Sequence, residues 1–310
     1  MRLRFALAAS RVLRTMTATL LLQSALVGVT NGFVYALVGL GIAVVFRGTR
    51  IINAMQGEFA LIGGLAAYLL LERLGLPLPL ACAAGVLAGG ALGLVVDLAF
   101  VRPTRRRGSG EESFLLLTLG IAFAISAGVL YFFGRDSQLL PGIGGEQSMI
   151  LFDAAIRVHA IWLMVISSAV MALLWLFYSR THIGLSMMAA SIDADGAATI
   201  GIDVGLMRTL TFLLGGLVGG LAGVLVSPLI TIHYEMGLLL TLKGFAAAIL
   251  GGLTNPFGAV VGGVTLGLVE SVAVLSVSSG YKDVIAMTIL IVIMILMPHG
   301  ILGRGTRSGG

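Results

Sequence analysis

The sequence of 310 residues has few charged side chains and almost no cysteine. Asp, Glu, Lys and Arg together make up 11% of the chain, less than half the share of about 25% that soluble domains carry. The single cysteine, Cys82, lies in an apolar run and has no second cysteine with which to form an internal disulfide. These absences exclude an ordinary soluble domain and a secreted disulfide scaffold.

Signatures of the common catalytic sites are also missing. Neither Lys243 nor Lys282 has the glycine spacing of a phosphate-binding P-loop, so we do not expect this chain to hydrolyse nucleotides. The sequence contains no His-Glu-x-x-His and no Gly-x-Ser-x-Gly motif, and its four histidines lie far apart. We therefore expect neither a metal site nor an enzyme. With only two lysines, the net charge of +5 does not indicate a nucleic-acid partner.

What the chain has instead is a series of long apolar segments. Hydrophobic residues make up 58% of the sequence, and the mean hydropathy is +1.07. Since a helix needs about 20 apolar residues to cross a bilayer, this pattern predicts an all-α polytopic membrane protein with eight or nine transmembrane helices. The segments are 20–46, 57–71, 78–100, 114–133, 158–178, 207–226, 238–253, 258–276 and 283–297.

Two of these segments are irregular. The segment 238–253 is short, contains Lys243 and ends in a glycine pair, so it predicts a broken or half-length helix. The first segment is long and is interrupted by Thr30, Asn31 and Gly32.

Glycines are abundant, and they fall inside the apolar segments. The chain has 44 of them, and Gly215, Gly219 and Gly223 repeat at four-residue spacing. Such a ridge of small residues lets membrane helices approach one another closely. We therefore predict that these three glycines form a helix-packing face.

The arginines predict the orientation in the membrane. If 102–107 faces the cytoplasm and the segments alternate from there, the inner loops hold nine Lys and Arg against four in the outer loops, as the positive-inside rule requires. The outer loop is then 134–157, the inner loop is 179–206, and 304–310 is a cytoplasmic tail. The inner loop alternates apolar and polar residues at helical spacing, which predicts a short docking helix along the membrane.

The basic N-terminal segment 1–16 conflicts with this orientation, because the alternation places it outside. The residues leave three interpretations open. Part of the segment could be an amphipathic surface helix, the first long segment could be two broken pieces, or the chain could start upstream of the native core. The first apolar stretch is too short for a signal peptide, so we expect no cleavage.

A group of polar residues begins the second segment, where intramembrane polar groups are costly and usually functional or paired. It consists of Asn53, Gln56, Gly57 and Glu58. One interpretation is a gate element of a translocation pathway, near its inner end, at a break between helices. The other is a simple helix N-cap, with the Glu58 carboxylate at the positive end of the helix dipole.

Three further charged residues lie within or at the ends of apolar segments. Lys243 and Glu270 are candidates for the same pathway. Alternatively, Lys243 extends its side chain to the membrane surface, and Glu270 hydrogen-bonds a neighbouring helix. Asp97 lies near the inner end of its segment and within reach of Arg102, which favours an interfacial ion pair.

At this point the chain resembles the permease subunits of bacterial ABC importers for branched-chain amino acids, of the LivH type. The resemblance covers residues 28–304 and rests on the order and spacing of its motifs. The matching stretches include 32–37, 52–58, 101–103, 118–121, 184–202, 221–225, 242–245, 250–252 and 298–303.

The resemblance implies a helical permease domain over 17–303, of the LivH and ribose-permease type, in the bacterial inner membrane. It implies as partners a second, LivM-like permease, two cytoplasmic ATPase subunits, a periplasmic solute-binding protein and the lipid bilayer. This chain would bind no cofactor, since ATP and magnesium are used by the partner subunits. The solute would be a branched-chain or related amino acid, with urea or a short amide as the alternative. A self-sufficient channel or secondary transporter is a further alternative, which would need paired ionisable groups at the membrane midplane.

Residues 184–202 match the cytoplasmic coupling segment of that family, which meets the ATPase. Compared with the family, this segment is less charged, because Met188, Ile192 and Ala198 stand where charged residues are common. The implied coupling residues are Gly184, Leu185, Met188, Ile192, Asp193, Ala197 and Gly201.

Overall fold

The computed structural model describes residues 2–108, 110–145, 147–151, 154–253 and 256–276, together with 284, 287–288, 291–292, 295 and 300–301. Most of these residues are helical. The helices are α1 (Arg2–Thr49), α2 (Gln56–Leu74), α3 (Leu78–Val96), α4 (Arg102–Arg106), α5 (Glu111–Phe133), α6 (Val158–Arg180), α7 (His182–Ile192), α8 (Ala194–Thr199), α9 (Val204–Val226), α10 (Met236–Gly251) and α11 (Pro256–Ser276). The predicted segment 283–297 lies mostly outside the described residues, and the tail 304–310 lies entirely outside them.

Six helical stretches in the described part of the chain are long and apolar enough to cross a membrane. They are Thr19–Thr49, Leu78–Arg106, Glu112–Phe133, Val158–Arg180, Val204–Val226 and Phe257–Val274. The helices α2, with 19 residues, and α10, with 16, pack among them. At 1.5 Å per residue α10 is about 24 Å long, shorter than a hydrocarbon core of about 30 Å. The prediction of a polytopic helical membrane protein is confirmed.

The first helix is continuous, which corrects the expected interruption at Thr30, Asn31 and Gly32. The Thr30 hydroxyl donates to the Leu26 carbonyl one turn earlier, 2.9 Å away, so its polar group is satisfied inside the helix. Gly32 lies directly against the backbone of Val264 in α11. The small residue therefore serves a helix contact and does not break the helix.

Glycines set the spacing of several helix pairs. In α1 and α11, Gly28 faces Gly267, and a Cβ atom on either residue would collide with the backbone of the other helix. The same holds for Gly89 in α3 against Gly216 in α9. Close backbone approach replaces large side chains at these contacts, as is typical of membrane helices.

The bundle has a packed centre and a loosely packed periphery. In α1 and α9, 78% and 67% of the most apolar stretch is buried inside the chain, compared with 22% in both α5 and α6. The buried polar residues described below lie on α1, α2, α9, α10 and α11 and in the irregular segments next to α2 and α3, whereas α5 and α6 turn most of their surface outward.

One end of the bundle collects eight of the described arginines. Here α1 ends, α4 and α5 meet, α6 ends and α9 begins, and a cavity of about 350 Å³ lies between these ends. We call this the arginine-rich end; its arginines are Arg47, Arg50, Arg102, Arg105, Arg106, Arg107, Arg180 and Arg208. A π-helical turn, Asp97–Val101, joins α3 to α4 there, so the helix continues beyond the predicted segment.

The two long loops contain more regular structure than the sequence indicated. Within 134–157, β1 (Ser148–Leu151) and β2 (Ala154–Arg157) form an antiparallel hairpin. Gln23 Nε2 of α1 donates to the Ala155 carbonyl at 3.0 Å and its Oε1 accepts from the Ala155 N–H at 2.9 Å, which fixes the hairpin to the bundle. Within 179–206, the expected single docking helix is two helices, α7 and α8, separated at Asp193.

Candidate functional site

The candidate site begins where the chain turns back into the bundle between α1 and α2. After Thr49 the residues 50–55 are not helical, and Gln56 then starts α2 against Gly41 of α1. Gly41 lies eight residues before the end of α1, about 12 Å along its axis. The start of α2 therefore lies inside the bundle, and its position near the inner end of a translocation pathway stays a prediction.

Amide side chains hold this break together. Asn53 Nδ2 donates to Gln56 Oε1 at 3.1 Å, and Gln56 Nε2 donates to the Gly215 carbonyl of α9 at 2.8 Å. The Met55 N–H donates to Asn53 Oδ1 at 3.1 Å. Asn53 and Gln56 are both fully buried, so these bonds satisfy polar groups that have no access to water.

The first turn of α2 is capped by a different helix. The N–H of Gly57 donates to the Thr241 hydroxyl of α10 at 2.8 Å. The residue at the N-cap position, Met55, supplies no side-chain bond. A Cβ on Gly57 would collide with the Gly237 carbonyl. Only glycine therefore fits between α2 and α10 here.

Glu58 lies one residue further, fully buried between α5 and α10. Its Oε1 accepts a hydrogen bond from Ser126 of α5 at 3.1 Å, whereas its Oε2 has no hydrogen-bond partner among the described residues. The carboxyl group also lies against Gly237. An incompletely satisfied buried carboxyl is costly, and such groups occur mainly at functional positions in membrane proteins.

The other two charged candidates form a buried ion pair, which the sequence analysis did not foresee. Lys243 Nζ lies 3.0 Å from Glu270 Oε1 and donates to the Tyr35 hydroxyl at 3.2 Å. Lys243 is 8% exposed and Glu270 is fully buried. Lys243 therefore does not extend to the membrane surface, and the pair joins α1, α10 and α11.

A second buried ion pair lies at the arginine-rich end. Asp97 accepts from Arg208 Nε at 2.8 Å and from the Thr209 hydroxyl at 2.5 Å. Its predicted partner, Arg102, is not the residue that binds it. The pair joins the π-helical turn to α9, and a separation of 111 residues in sequence explains why no local pattern revealed it.

Comparison with known proteins identifies the family. The family described as "Branched-chain amino acid transport system / permease component" matches residues 24–294. The chain belongs to this permease family. It is 32% identical over 300 residues to the high-affinity branched-chain amino acid transport system permease protein BraD of Pseudomonas aeruginosa, covering 91% of this chain and 96% of the relative.

Two further relatives agree with this family. The permease protein LivH of Salmonella typhimurium, described like BraD, is 29% identical, with 91% of this chain and 96% of the relative covered. A probable branched-chain amino acid transport permease protein LivH of Methanocaldococcus jannaschii is 30% identical, with 86% and 88% covered. The resemblance to LivH-type permeases is thereby confirmed. These relatives are named as transport permeases, not enzymes.

The predicted coupling residues divide into an exposed and an inward-facing set. Leu185 and Ile192 are 48% and 70% exposed, and the nearby Ile200 is 76% exposed. Met188, which was grouped with them, instead turns toward the bundle, with its sulfur 3.4 Å from Arg47 Nη2.

The remaining residues predicted to take part in coupling shape the backbone of α7 and α8. Gly184 lies against the Phe177 carbonyl, and Ala197 is buried. Asp193 Oδ1 accepts from the Gly196 N–H at 2.9 Å and so caps α8. Gly201, with φ of +87°, adopts a backbone conformation that favours glycine as the chain turns toward α9.

The three glycines of the predicted ridge in the permease face α1 and α2. A Cβ on Gly215 would meet Val45 of α1, and one on Gly219 would meet Phe59. Gly223 lies closest of the three, against the backbone carbonyl of Ala60. The ridge thus lies next to the break between α1 and α2. A Cβ placed on Gly219 would also lie 3.0 Å from Gln56 Nε2.

Sequence reasoning missed the partners of the polar residues. Five residues on other helices form hydrogen bonds to the candidate residues or to the segment that contains them. They are Tyr35, Ser126, Thr241, Arg208 and Thr209. Single hydroxyl groups in apolar helices are common, so they carry no signal of their own in one sequence. A lysine and a glutamate in neighbouring apolar segments are a usable signal, because two such charges are expected to pair.

Proposed function

We propose that this chain is the membrane-spanning permease subunit of an ATP-driven importer that translocates branched-chain amino acids delivered by a periplasmic binding protein. The observation that carries the proposal is the family match over 24–294. That range contains all six stretches able to cross a membrane except the start of the first. The relatives that share it bear branched-chain amino acid transport in their names.

The partners follow from what the chain itself does not carry. It has no P-loop, so ATP and magnesium are bound by partner subunits. We propose two cytoplasmic ATPase subunits at the arginine-rich end, a second related permease in the membrane, and the binding protein at the opposite end. The exposed apolar side chains Leu185, Ile192 and Ile200 support the first of these contacts, because large apolar groups outside the bilayer favour a protein partner.

The charges inside the bundle support a solute that is neutral overall. Two buried cations, Lys243 and Arg208, are each matched by a carboxylate. Glu58 is then the buried carboxyl without a cation in the described part of the chain. A passage with this balance offers no cluster of one sign for a phosphorylated sugar or a polyamine, whereas a zwitterion such as leucine needs none.

The solute is tested by uptake into vesicles that contain the complete complex. ATP-dependent uptake of leucine is expected, with little uptake of arginine or of a phosphorylated sugar. Preferential uptake of either charged solute would overturn the proposal of a neutral solute. Uptake of urea without leucine would replace the amino acid by the amide alternative.

An aspartate at Ile192 is expected to uncouple transport from ATP hydrolysis. The side chain is 70% exposed, so the substitution leaves the fold of the permease unchanged but places a charge in an apolar contact. We expect at least about a tenfold loss of uptake, since a charge buried without a partner costs several kcal/mol. Uptake and ATPase activity are measured on the same reconstituted complex.

Met188→Asp provides the matched control. It introduces the same charge four residues away, but next to Arg47, which lies 3.4 Å from the present sulfur. The new carboxylate then pairs with Arg47, and uptake should fall much less. If Ile192→Asp transports and stimulates the ATPase as the parent does, α7 does not dock on the ATPase.

Cysteines at Asn53 and Gln56 are expected to react with hydrophilic thiol reagents only while the complex is turning over ATP. Both positions are fully buried in this conformation, so labelling requires α1, α2 and α9 to separate. The experiment uses a background in which Cys82 is replaced by alanine. A cysteine at the exposed Ser137, which follows α5 at the end opposite the proposed ATPase contact, is the control and should react with and without ATP. Inertness of positions 53 and 56 in both conditions would favour a purely structural helix start.

A further inference from the structure

A long apolar groove runs between α3 and the first half of α5. Its volume is about 660 Å³, and all ten residues that line it are apolar. Leu92, Val95 and Phe100 line one wall, and Leu116 and Gly120 line the other. A Cβ placed on Gly120 would meet no atom within 4 Å. The glycine therefore borders open space here and is not needed for a close helix contact.

Positive charge lies at one end of this groove. Arg102, Arg105 and Arg106 line a second cavity of about 370 Å³ at the arginine-rich end. Arg105 follows Phe100 of the groove by five residues of nearly continuous helix, a rise of about 7.5 Å. Among the described residues none of these three arginines forms an ion pair.

The carboxylates near this cavity are engaged elsewhere. Asp97 is held by Arg208, and Asp203, which also lines the cavity, accepts from the Leu206 N–H at the start of α9. The cavity consequently offers guanidinium groups that are available to an anion, close to one end of the apolar groove.

We propose that an anionic phospholipid from the leaflet on the arginine-rich side occupies this site. One acyl chain lies in the α3–α5 groove, and the headgroup phosphate binds Arg102, Arg105 and Arg106. The groove runs from Leu116 to Ile125 along α5, about 13 Å, close to the half-thickness of about 15 Å of a hydrocarbon core. Charge complementarity selects an anionic headgroup, as basic clusters at the membrane surface do in general.

This assignment concerns the membrane environment of the permease and does not depend on which solute it carries. A partner protein with an acidic surface is the competing occupant of the arginines, and the second permease is the competing occupant of the groove. Only a lipid would occupy the groove and bind the three arginines as a single ligand. Substitutions at the two ends of the site therefore distinguish these cases.

The test measures lipid retained by the purified full-length chain, using native mass spectrometry after exposure to equal amounts of phosphatidylglycerol and phosphatidylcholine. The parent should retain phosphatidylglycerol in clear excess. Arg105→Gln with Arg106→Gln should lower that retention, by about fivefold for each arginine removed. Arg73→Gln, an exposed arginine at the other end of the bundle, is the control and should leave retention unchanged.

The groove is tested with two matched glycine substitutions on α5. Gly120→Leu fills the groove, whereas Gly128→Leu, eight residues further, also adds a side chain in open space but lies outside the groove. Because neither new Cβ meets another atom, both variants should fold with the stability of the parent. Only Gly120→Leu should lose phosphatidylglycerol.

Three results would overturn the proposal. Equal retention of the two lipids would show that the arginines select no headgroup. Displacement of bound lipid by inorganic phosphate, with Gly120→Leu behaving as the parent, would show a phosphate site without an acyl chain. Loss of the second permease or of the ATPase from the Gly120→Leu or arginine-variant complex, at unchanged lipid content, would show that a protein occupies the site.

Discussion

Replacing Lys243 by methionine is expected to destabilise the permease by about 3–5 kcal/mol, the usual effect of removing one partner of a buried ion pair. Glu270 is fully buried and would lose the ammonium group that lies 3.0 Å from its Oε1. It then retains a charge in an apolar region or takes up a proton, and both cost free energy. The variant should be much less abundant in the membrane and should unfold at a lower temperature in detergent.

The double variant Lys243→Met, Glu270→Leu is the informative comparison. Removing both charges and keeping similar volume is often neutral or stabilising, so the double variant should recover most of the lost stability. Arg73→Met, which removes an exposed cation, should change the unfolding temperature very little. If the double variant is as unstable as Lys243→Met alone, the unpaired Glu270 is not the cause of the lost stability.

Gly223→Ala is expected to prevent correct assembly of the bundle although it adds a single methyl group. The new Cβ would collide with the Ala60 carbonyl of α2, and a backbone atom cannot move aside as the end of a flexible side chain can. Overpacking of this kind costs about 1–3 kcal/mol or more, which exceeds the gain of about 1 kcal/mol from the higher helix propensity of alanine. Membrane abundance and size-exclusion profile report the loss.

Gly128→Ala is the matched control for this substitution. A Cβ on Gly128 meets no atom within 4 Å, so the variant gains helix propensity without a steric cost. It should be at least as abundant as the parent. If Gly223→Ala and Gly128→Ala are equally abundant and equally stable, α2 and α9 do not approach as closely as their backbones indicate.

The sequence was sufficient for the class of fold because hydrophobic length is a local property. The helices α3, α5, α6 and α9 coincide with predicted segments, and α10 has the reduced length that its glycine pair indicated. The interruption expected in α1 was wrong for a physical reason. A polar triplet containing glycine is compatible with a helix when another helix packs on the glycine, and that contact depends on α11, more than 200 residues later.

The candidate site was less accessible to sequence reasoning, because its residues gain their roles from tertiary partners. The sequence marked Asn53, Gln56 and Glu58 as unusual. It did not reveal that this segment forms hydrogen bonds to Gly215, Thr241 and Ser126, which lie on three other helices. The contact between Gln56 and Gly41 of α1 is likewise tertiary and has no local pattern in the sequence.

The break has a consequence for how the permease works. Its hydrogen bonds connect α2 to α9 and α10 inside the bundle. The gate hypothesis requires these helices to separate when a solute passes, and we expect the energy for that separation to come from partner subunits. The exposed face of α7 and α8 at the arginine-rich end is the surface through which we expect partner ATPases to supply it.

The central claim, that this chain is an ATP-driven importer subunit, is tested most directly by the energy source for uptake. The complete complex is reconstituted in vesicles, and leucine accumulation is measured with ATP on the side of the arginine-rich end, with ion gradients collapsed by ionophores. We predict accumulation against a gradient that requires ATP and is abolished when this chain is omitted. Accumulation that needs an ion gradient, or that proceeds without ATP or the ATPase subunits, would contradict the account and identify a self-sufficient transporter.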